Sequence, residues 1–264
     1  MTRLTLKAEP PVRISLHGLT PRAIAPLDAT AIAHLPRRVG RREERIGDWF
    51  TIDQTADRTH LVIAGSCTRC DHIGAHMSEG EILVAGDAGA YLGQGMSGGE
   101  IRVEGKVGDA AGAEMAGGTL HIGGDAGAAL ASGMSGGTMI LDGSAGERAG
   151  ERMARGLLVI AGQGGALIGT GMRAGTILLG GQAGPDPGVS MRRGSLVVLG
   201  GMSSLGSGFA DSGTHELLIL KILAHELRHL GLGFEPLASR LAGRFHLFLG
   251  DRALGGKGEA LFAR

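Results

Sequence analysis

Four groups of residues have types and spacings that could do chemistry. The first is His225-Glu-Leu-Arg-His229, a match to His-Glu-x-x-His. On a helix, histidines at i and i+4 share a face, where they can hold zinc while Glu226 serves as base. The third ligand is missing: the longer protease pattern needs Gly at 232 and His at 235, and the chain has Leu232 and Glu235. Glu235 lies too near in sequence for the alternative glutamate ligand, and Glu259 sits in a glycine-rich tail. The second group is Cys67-Thr-Arg-Cys70 with His72 and His76, the four donors that a closed tetrahedral zinc site uses. All four fall within ten residues, tighter than separated ligand pairs, so unligated thiols in a turn are expected. The third is acidic. A polysaccharide-acting enzyme needs charged groups converging in a groove, and Asp87, Asp125 and Asp142 lie on separated repeats. The fourth is basic: Arg155, Arg173, Arg192 and Arg193, with Arg148 and Arg152 in the preceding turn. There is no Gly-x-Ser-x-Gly elbow, P-loop or His-x-His. A stand-alone zinc peptidase and a polysaccharide-acting enzyme therefore remain competing readings. The expectation is that no catalytic residue and no metal site belongs to this chain.

The element that must position these residues returns every 19 residues. Met77, Met96, Met115, Met134, Met153, Met172 and Met191 stand one period apart. Three residues after each comes Gly80, Gly99, Gly118, Gly137, Gly156, Gly175 or Gly194, and further glycines follow at Gly86 and Gly89 and their equivalents. Between them lie two apolar positions two apart, from Ile82/Val84 to Leu196/Val198. A period near 20 with one alternating segment per copy is the mark of a solenoid. Three or more glycines per period exclude helix, each costing roughly 1 kcal/mol there relative to Ala. The alternation is that of a strand with one face buried. A second short strand is expected near Leu92 and Ile168. A left-handed hexapeptide helix would need a multiple of six, so the fold class predicted is all-β, a right-handed parallel β-helix of 19-residue coils with small α/β caps. Met and the two apolar positions should point inward as ladders. Flexible core filler accounts for the Met ladder. An aliphatic interior suits 43% apolar and only 3% aromatic residues.

Lys plus Arg and Asp plus Glu balance at 26 each, which gives no pull toward nucleic acid or membrane. No charged-then-apolar leader and no apolar run of 18 is present, and two cysteines cannot build a disulfide framework. A cytoplasmic location is expected.

Three parts are predicted: 1–55 as an N-terminal cap, 56–201 as the solenoid and 202–264 as a C-terminal cap. Residues 1–20 read as two short strands, and Asp28 as N-cap of a helix from Ala29 to Leu35 that Pro36 ends. The charge run Arg37 to Arg45 reads as a solvated loop and Trp49–Ile52 as a strand. Thr214 to Leu230 reads as an amphipathic helix, ended by Gly231 or Gly233, that covers the far end of the solenoid. Phe245–Leu249 reads as a short strand. Arg173 and Arg192 follow the ladder Met by one residue, Arg155 and Arg193 by two, so stacking should hold them about 5 Å apart on the outside.

The pattern Gly-x-x-Met-x-x-Gly-x-Ile-x-Val-x-Gly-x-x-Gly, with Gly47-Asp48 ahead of the first strand, resembles the family of the formylmethanofuran dehydrogenase C subunit from about Ile46 to Arg193. The tail Gly250-Asp251 and Gly255-Gly256-Lys257-Gly258-Glu259 is similar to its bacterial branch, the C subunit of the formyltransferase/hydrolase complex. The repeat also occurs in the C-terminal domain of the glutamate synthase large subunit; the short caps favour the former family. The resemblance implies a β-helical scaffold without chemistry of its own. Its partners would be the formyltransferase subunit, an amidohydrolase-like subunit that carries metal, and others of the same complex. That complex would move a formyl group from formyl-tetrahydromethanopterin to a methanofuran-type carrier and release formate. The dehydrogenase form would add molybdenum or tungsten and iron–sulfur subunits. This chain would bind no cofactor itself. Carriers of this type bear glutamate-rich chains, so Arg155, Arg173, Arg192 and Arg193 are candidate contacts for the carrier or an acidic partner surface.

Overall fold

The computed structural model describes residues 1–39, 42–229 and 235–263. Chain entry is by β1 (Thr2–Leu6) and β2 (Ile14–Ser15), then the one-turn helix α1 (Pro21–Ile24) and α2 (Ala29–Ala33). Asp28 caps α2 by accepting from the Ala31 N–H at 2.7 Å. The helix ends two residues before Leu35, the predicted end. The charge run is a hairpin, not the loop expected: β3 (Pro36–Val39) pairs antiparallel with β4 (Arg42–Arg45). Trp49 closes a single helical turn, α3 (Ile46–Trp49), and the strand after it is β5 (Phe50–Gln54).

The solenoid follows. Its strands are β6 (His60–Ala64), the two-residue β7 (Cys70–Asp71), β8 (Glu81–Ala85), β9 (Glu100–Val103), β10 (Thr119–Ile122), β11 (Thr138–Leu141), β12 (Leu157–Ile160), β13 (Thr176–Leu179) and β14 (Ser195–Val198). From β8 on, each pairs in parallel with the strand one period away, in register, such as Leu158↔Ile177 and Ile160↔Leu179. This is the parallel β-helix that the repeat predicts. The seven ladder methionines are at most 1% exposed, and the inward strand positions Ile82 to Val198 at most 2%. Each Met reaches over the glycine of the next coil: a Cβ on Gly156 would lie 2.8 Å from Met134 Cε, and one on Gly175 3.0 Å from Met153 Cε. A side chain at these glycines and a full-length Met cannot coexist without movement, which is why the two residue types recur together.

The second strand expected near Leu92 and Ile168 does not form. Both residues are buried, but in a turn whose neighbours Tyr91 (φ 59°) and Gly93 (φ 62°) are left-handed, a conformation no strand contains. The second backbone ladder is one residue wide and lies four residues earlier, running from Cys67 and Ala88 to Ala183 and Met202.

Both ends are closed by the chain's own termini. At the start, β1 stacks in parallel on β6 and β2 on β7, and β5 then pairs antiparallel on β1. At the other end the structure corrects the sequence reading. The stretch from Ala210 is not yet helix: β15 (Ala210–His215) precedes α4 (Leu218–His229), and α5 (Glu235–Arg240), β16 (Phe245–Gly250) and β17 (Gly258–Ala263) follow. The predicted end at Leu230, Gly231 or Gly233 lies outside the described residues. The glycine-rich tail is a strand, and β17 stacks in parallel on β14 as a further rung, Val197 opposite Leu261. Then β16 and β15 add antiparallel.

Helix α4 therefore does not cover the end. Leu220, Leu223, Ala224 and Leu227 pack on the outer face of the sheet, over Ile140, Val159, Leu178 and Val197. These are the third, outward residues of β11 to β14, and the same column holds His121 on β10 and Arg102 on β9. Apolar residues on both faces of the later strands require a cover, and α4 with α5 supplies it. Arg240 fixes α5 by donating to the carbonyls of Gly180 (3.1 Å) and Leu199 (2.6 Å).

Candidate functional site

The basic residues share one corner of the coil. The residue after each ladder Met donates its N–H to the preceding Met carbonyl, Arg173 to Met153 and Arg192 to Met172, each at 2.7 Å. That ladder places Arg173 and Arg192 one strand spacing apart, about 4.8 Å. All four candidates, Arg155, Arg173, Arg192 and Arg193, are exposed. No ion pair joins any of them to a carboxylate among the described residues; the acid of this region that does pair, Glu151, faces Arg152 at 3.7 Å. Sequence reasoning missed a fifth cation. The Lys257 N–H donates to the Arg192 carbonyl at 2.8 Å, so the strand leading into β17 carries Lys257 onto the rung beyond Arg193. The signal available was the Ala-Leu-Phe alternation after Gly258, read only as a tail.

The acidic candidates do structural work. Asp87 accepts from the Lys106 N–H at 2.7 Å and Asp125 from the Ser144 N–H at 3.0 Å, in each case one coil further on. Asp71 and Asp109 repeat the contact with Ala90 and Ala128 at 2.8 Å. The Lys106 N–H, then the Ser66 hydroxyl, hold the Asp87 carboxyl below its ordinary value. For Asp125 the Ser144 N–H is the main cause, then the Lys106 ammonium, 3.0 Å away. Asp142 instead meets the buried His121 ring at 2.9 Å.

The two zinc-like motifs part ways. Cys67 and Cys70 form a disulfide and are both 1% exposed, which corrects the expectation of unligated thiols. The two-residue insertion folds into a turn with their Cα atoms 5.3 Å apart, inside the coil. His72 and His76 face outward from it in left-handed conformation and gather His17 from the N-terminal segment, with ring centroids 6.4 and 5.5 Å away. His72 also stacks on Tyr91 at 4.9 Å. Partial burial, then the neighbouring His17 and His76, keep the His72 imidazole below its ordinary value, against the pull of Asp71. On α4, His225 and His229 are exposed and their Nε2 atoms stand 2.9 Å apart. Glu235 is engaged by Arg228 at 3.0 Å, and Glu259 accepts from the Ser195 hydroxyl at 3.0 Å. Among the described residues, no three or more His, Cys, Asp or Glu side chains converge as a metal site. No helix among them is long and apolar enough to cross a membrane.

The stacked coils, one-residue corner ladder and outward cationic strip define a glycine-repeat β-solenoid protein. No protein-family model matches the chain. A chain of the crystal structure of the formyltransferase/hydrolase complex (FhcABCD) from Methylorubrum extorquens, in complex with methylofuran, superposes with TM-score 0.93 at 37% identity, over 99% of each chain. In sequence, 92 residues are 39% identical to the C subunit of the formyltransferase/hydrolase complex of M. extorquens, covering 35% of this chain and 34% of that relative. A stretch of 90 residues is 28% identical to the C subunit of the tungsten-containing formylmethanofuran dehydrogenase 2 of Methanococcus maripaludis, covering 34% and 33%. These two sequence matches thus span about a third of each curated relative. The chain belongs to the family of the formyltransferase/hydrolase complex C subunit.

Proposed function

We propose that the chain is the non-catalytic scaffold subunit of a one-carbon enzyme complex. In this reading the complex transfers a formyl group from formyl-tetrahydromethanopterin to a methanofuran-type carrier and releases formate. The observation that carries it is the superposition with a chain of the M. extorquens complex, end to end at 37% identity. The aspartates that might have acted on a substrate instead bond backbone N–H groups of the next coil, which fits a subunit that presents surfaces. The formyltransferase and the metal-bearing amidohydrolase-like subunit would be partners, and the chain would hold no cofactor. The complex works in the cytoplasm, and the balance of 26 cationic and 26 anionic residues gives the chain no pull toward nucleic acid or membrane. The molybdenum or tungsten dehydrogenase form is the second reading; the 28% identity to the M. maripaludis relative favours it less than the 39% to the M. extorquens one.

Within this role the strip Arg155, Arg173, Arg192 and Arg193, lengthened by Lys257, meets carboxylates of a partner surface or of the carrier's glutamate chain. Rigid spacing lets guanidinium forks bind carboxylates without ordering a loop. Changing the four arginines to Ser should leave the fold intact, because all four are exposed. It should weaken assembly or carrier turnover, most at low ionic strength, because high salt already screens the arginines' attraction in the wild type. Native mass measurement of the co-expressed complex and a carrier assay at two salt concentrations read this out. A variant that assembles and turns over carrier like wild type at both salts overturns the strip's role. A wild-type chain that never co-purifies with other subunits overturns the scaffold role.

A further inference from the structure

A trough runs along the outside of the solenoid beside α4. One wall is the column of first strand residues, Glu81, Glu100, Thr119, Thr138, Leu157 and Thr176, in continuous register and ending at Ser195. Every member is exposed or half-exposed. The opposite wall over the later strands is the flank of α4. Ile219 and Ile222 face Thr176 and Ser195, while Glu226 and His229 face Thr138 and Leu157. On β6, β8 and β9 the same column borders a second cleft, of about 470 Å³, floored by Val62 and Leu83. The segment beside Thr138 and Leu157 adds about 530 Å³. Six strand spacings make the column roughly 29 Å long.

Its walls are apolar where they need not be. Ile219 is 53% exposed, Ile222 47% and Leu218 72%, three of the eight large exposed apolar side chains among the described residues. Its charge leans negative at the open end. Glu81 and Glu100 stand on adjacent strands, with Asp57 beside them and Glu226 further along, against Arg102 and the Met1 ammonium. His60 touches Asp57 and Glu81, each at 2.9 Å, and Glu100 has no ion-pair partner among the described residues.

What fills such a trough is set by two repeats. The strands advance about 4.8 Å and an α-helix about 5.4 Å per turn, so a helix laid along the stack gives close to one turn to each strand. The chain already does this next door, where Leu220, Leu223 and Leu227 of α4 step across β14, β13, β12 and β11. An extended peptide has nothing to pair with, because the backbone groups of the floor are spent in the ladders. We propose that the trough docks an amphipathic helix from another subunit of the same complex, with Lys or Arg over Glu81 and Glu100 and an apolar stripe against Ile219, Ile222 and Leu83. This rests on the proposed subunit role and adds the surface and the partner's chemistry.

The test uses the co-expressed, purified complex. With Ile222→p-benzoylphenylalanine, irradiation should join this chain to a peptide of another subunit that has apolar residues at i, i+3 or i+4 and i+7, and net positive charge. Independently, Ile219→Ser with Ile222→Ser, and separately Glu81→Lys with Glu100→Lys, should each weaken retention of the other subunits about ten-fold. Circular dichroism should show unchanged folding, since the altered side chains are exposed. A cross-link to a second copy of this chain, to a peptide without that spacing, or to nothing, overturns the proposal. So does wild-type retention in both variants. If the wild-type chain retains no other subunit, the subunit role fails and the docking proposal falls with it; wild-type retention with unaffected variants removes the docking proposal alone.

Discussion

Gly156→Ala tests whether the repeat is held by interlocking coils or by backbone conformation alone. Gly156 has φ 99°, and a Cβ there would meet Gly137 O at 2.7 Å and Met134 Cε at 2.8 Å. The left-handed backbone costs an L residue about 1–2 kcal/mol, and forcing a methyl into this contact adds about 1–3 kcal/mol. The expected loss is roughly 4 kcal/mol. Gly201 is the control, because its φ of 91° is similar and nothing lies within 4 Å of its added Cβ. Gly201→Ala should lose only the backbone part, about 1–2 kcal/mol. The two variants differ by the contact part, about 1–3 kcal/mol, so at about 2–4 °C per kcal/mol for a chain of this size they should melt roughly 2–12 °C apart. Met134→Ala alone should cost about 2–5 kcal/mol, since Met134 is fully buried. Combined with Gly156→Ala it should cost less than the sum by about 1 kcal/mol, the new methyl taking part of the vacated space. Urea unfolding of the four proteins supplies the cycle. Equal losses at Gly156 and Gly201, or strict additivity with Met134→Ala, would refute the interlocking.

Acid should act through the carboxylates that bridge coils. Asp87 and Asp125 have folded values below the ordinary one, so their stabilisation is present above the unfolded value near 3.9 and is lost as pH falls through the lowered folded values. Asp87→Asn with Asp125→Asn should therefore melt below wild type at pH 7, with the gap narrowing as pH falls below about 4; a gap that stays constant as the pH is lowered contradicts this. Purified protein should contain no stoichiometric zinc at Cys67/Cys70 or at His225/His229. Elemental analysis finding one zinc per chain that His225→Ala removes would restore the peptidase reading.

The coil was legible because it is periodic: a Met, a glycine three residues on and two alternating aliphatics repeat often enough to exclude helix. What escaped notice was the third strand position. Ile140, Val159, Leu178 and Val197 make the later strands apolar on both faces, whereas Arg102 and His121 do not. That change along one column marks where α4 lands, and a reading confined to the inward pair passes over it. Lys257 was missed for another reason. The rung that carries β17 is separated from β14 by more than fifty residues, so period counting stops before reaching it. Among the candidate residues, spacing brought together Arg173 and Arg192, whose separation depends on the stack alone. It did not foresee that His72 and His76 would turn away from Cys67 and Cys70, because that depends on left-handed positions that recur in every coil, at Tyr91 and Gly95 in the next.

The reversal of strand direction at both ends has a consequence for how such a molecule can change. β5 at one end and β16 at the other run antiparallel to the stack, and β15 beyond β16 turns back again. Each end thus interrupts the parallel coil with a reversed strand, β5 or β16, so the run of coils is set within one chain. Between these stops, one added or deleted unit of 19 residues moves one end against the other by about 4.8 Å and alters no contact type. The solenoid is thus a ruler graduated in coils. A lineage could tune the distance between whatever docks at its two ends by duplicating or losing whole units, leaving both docking surfaces unchanged.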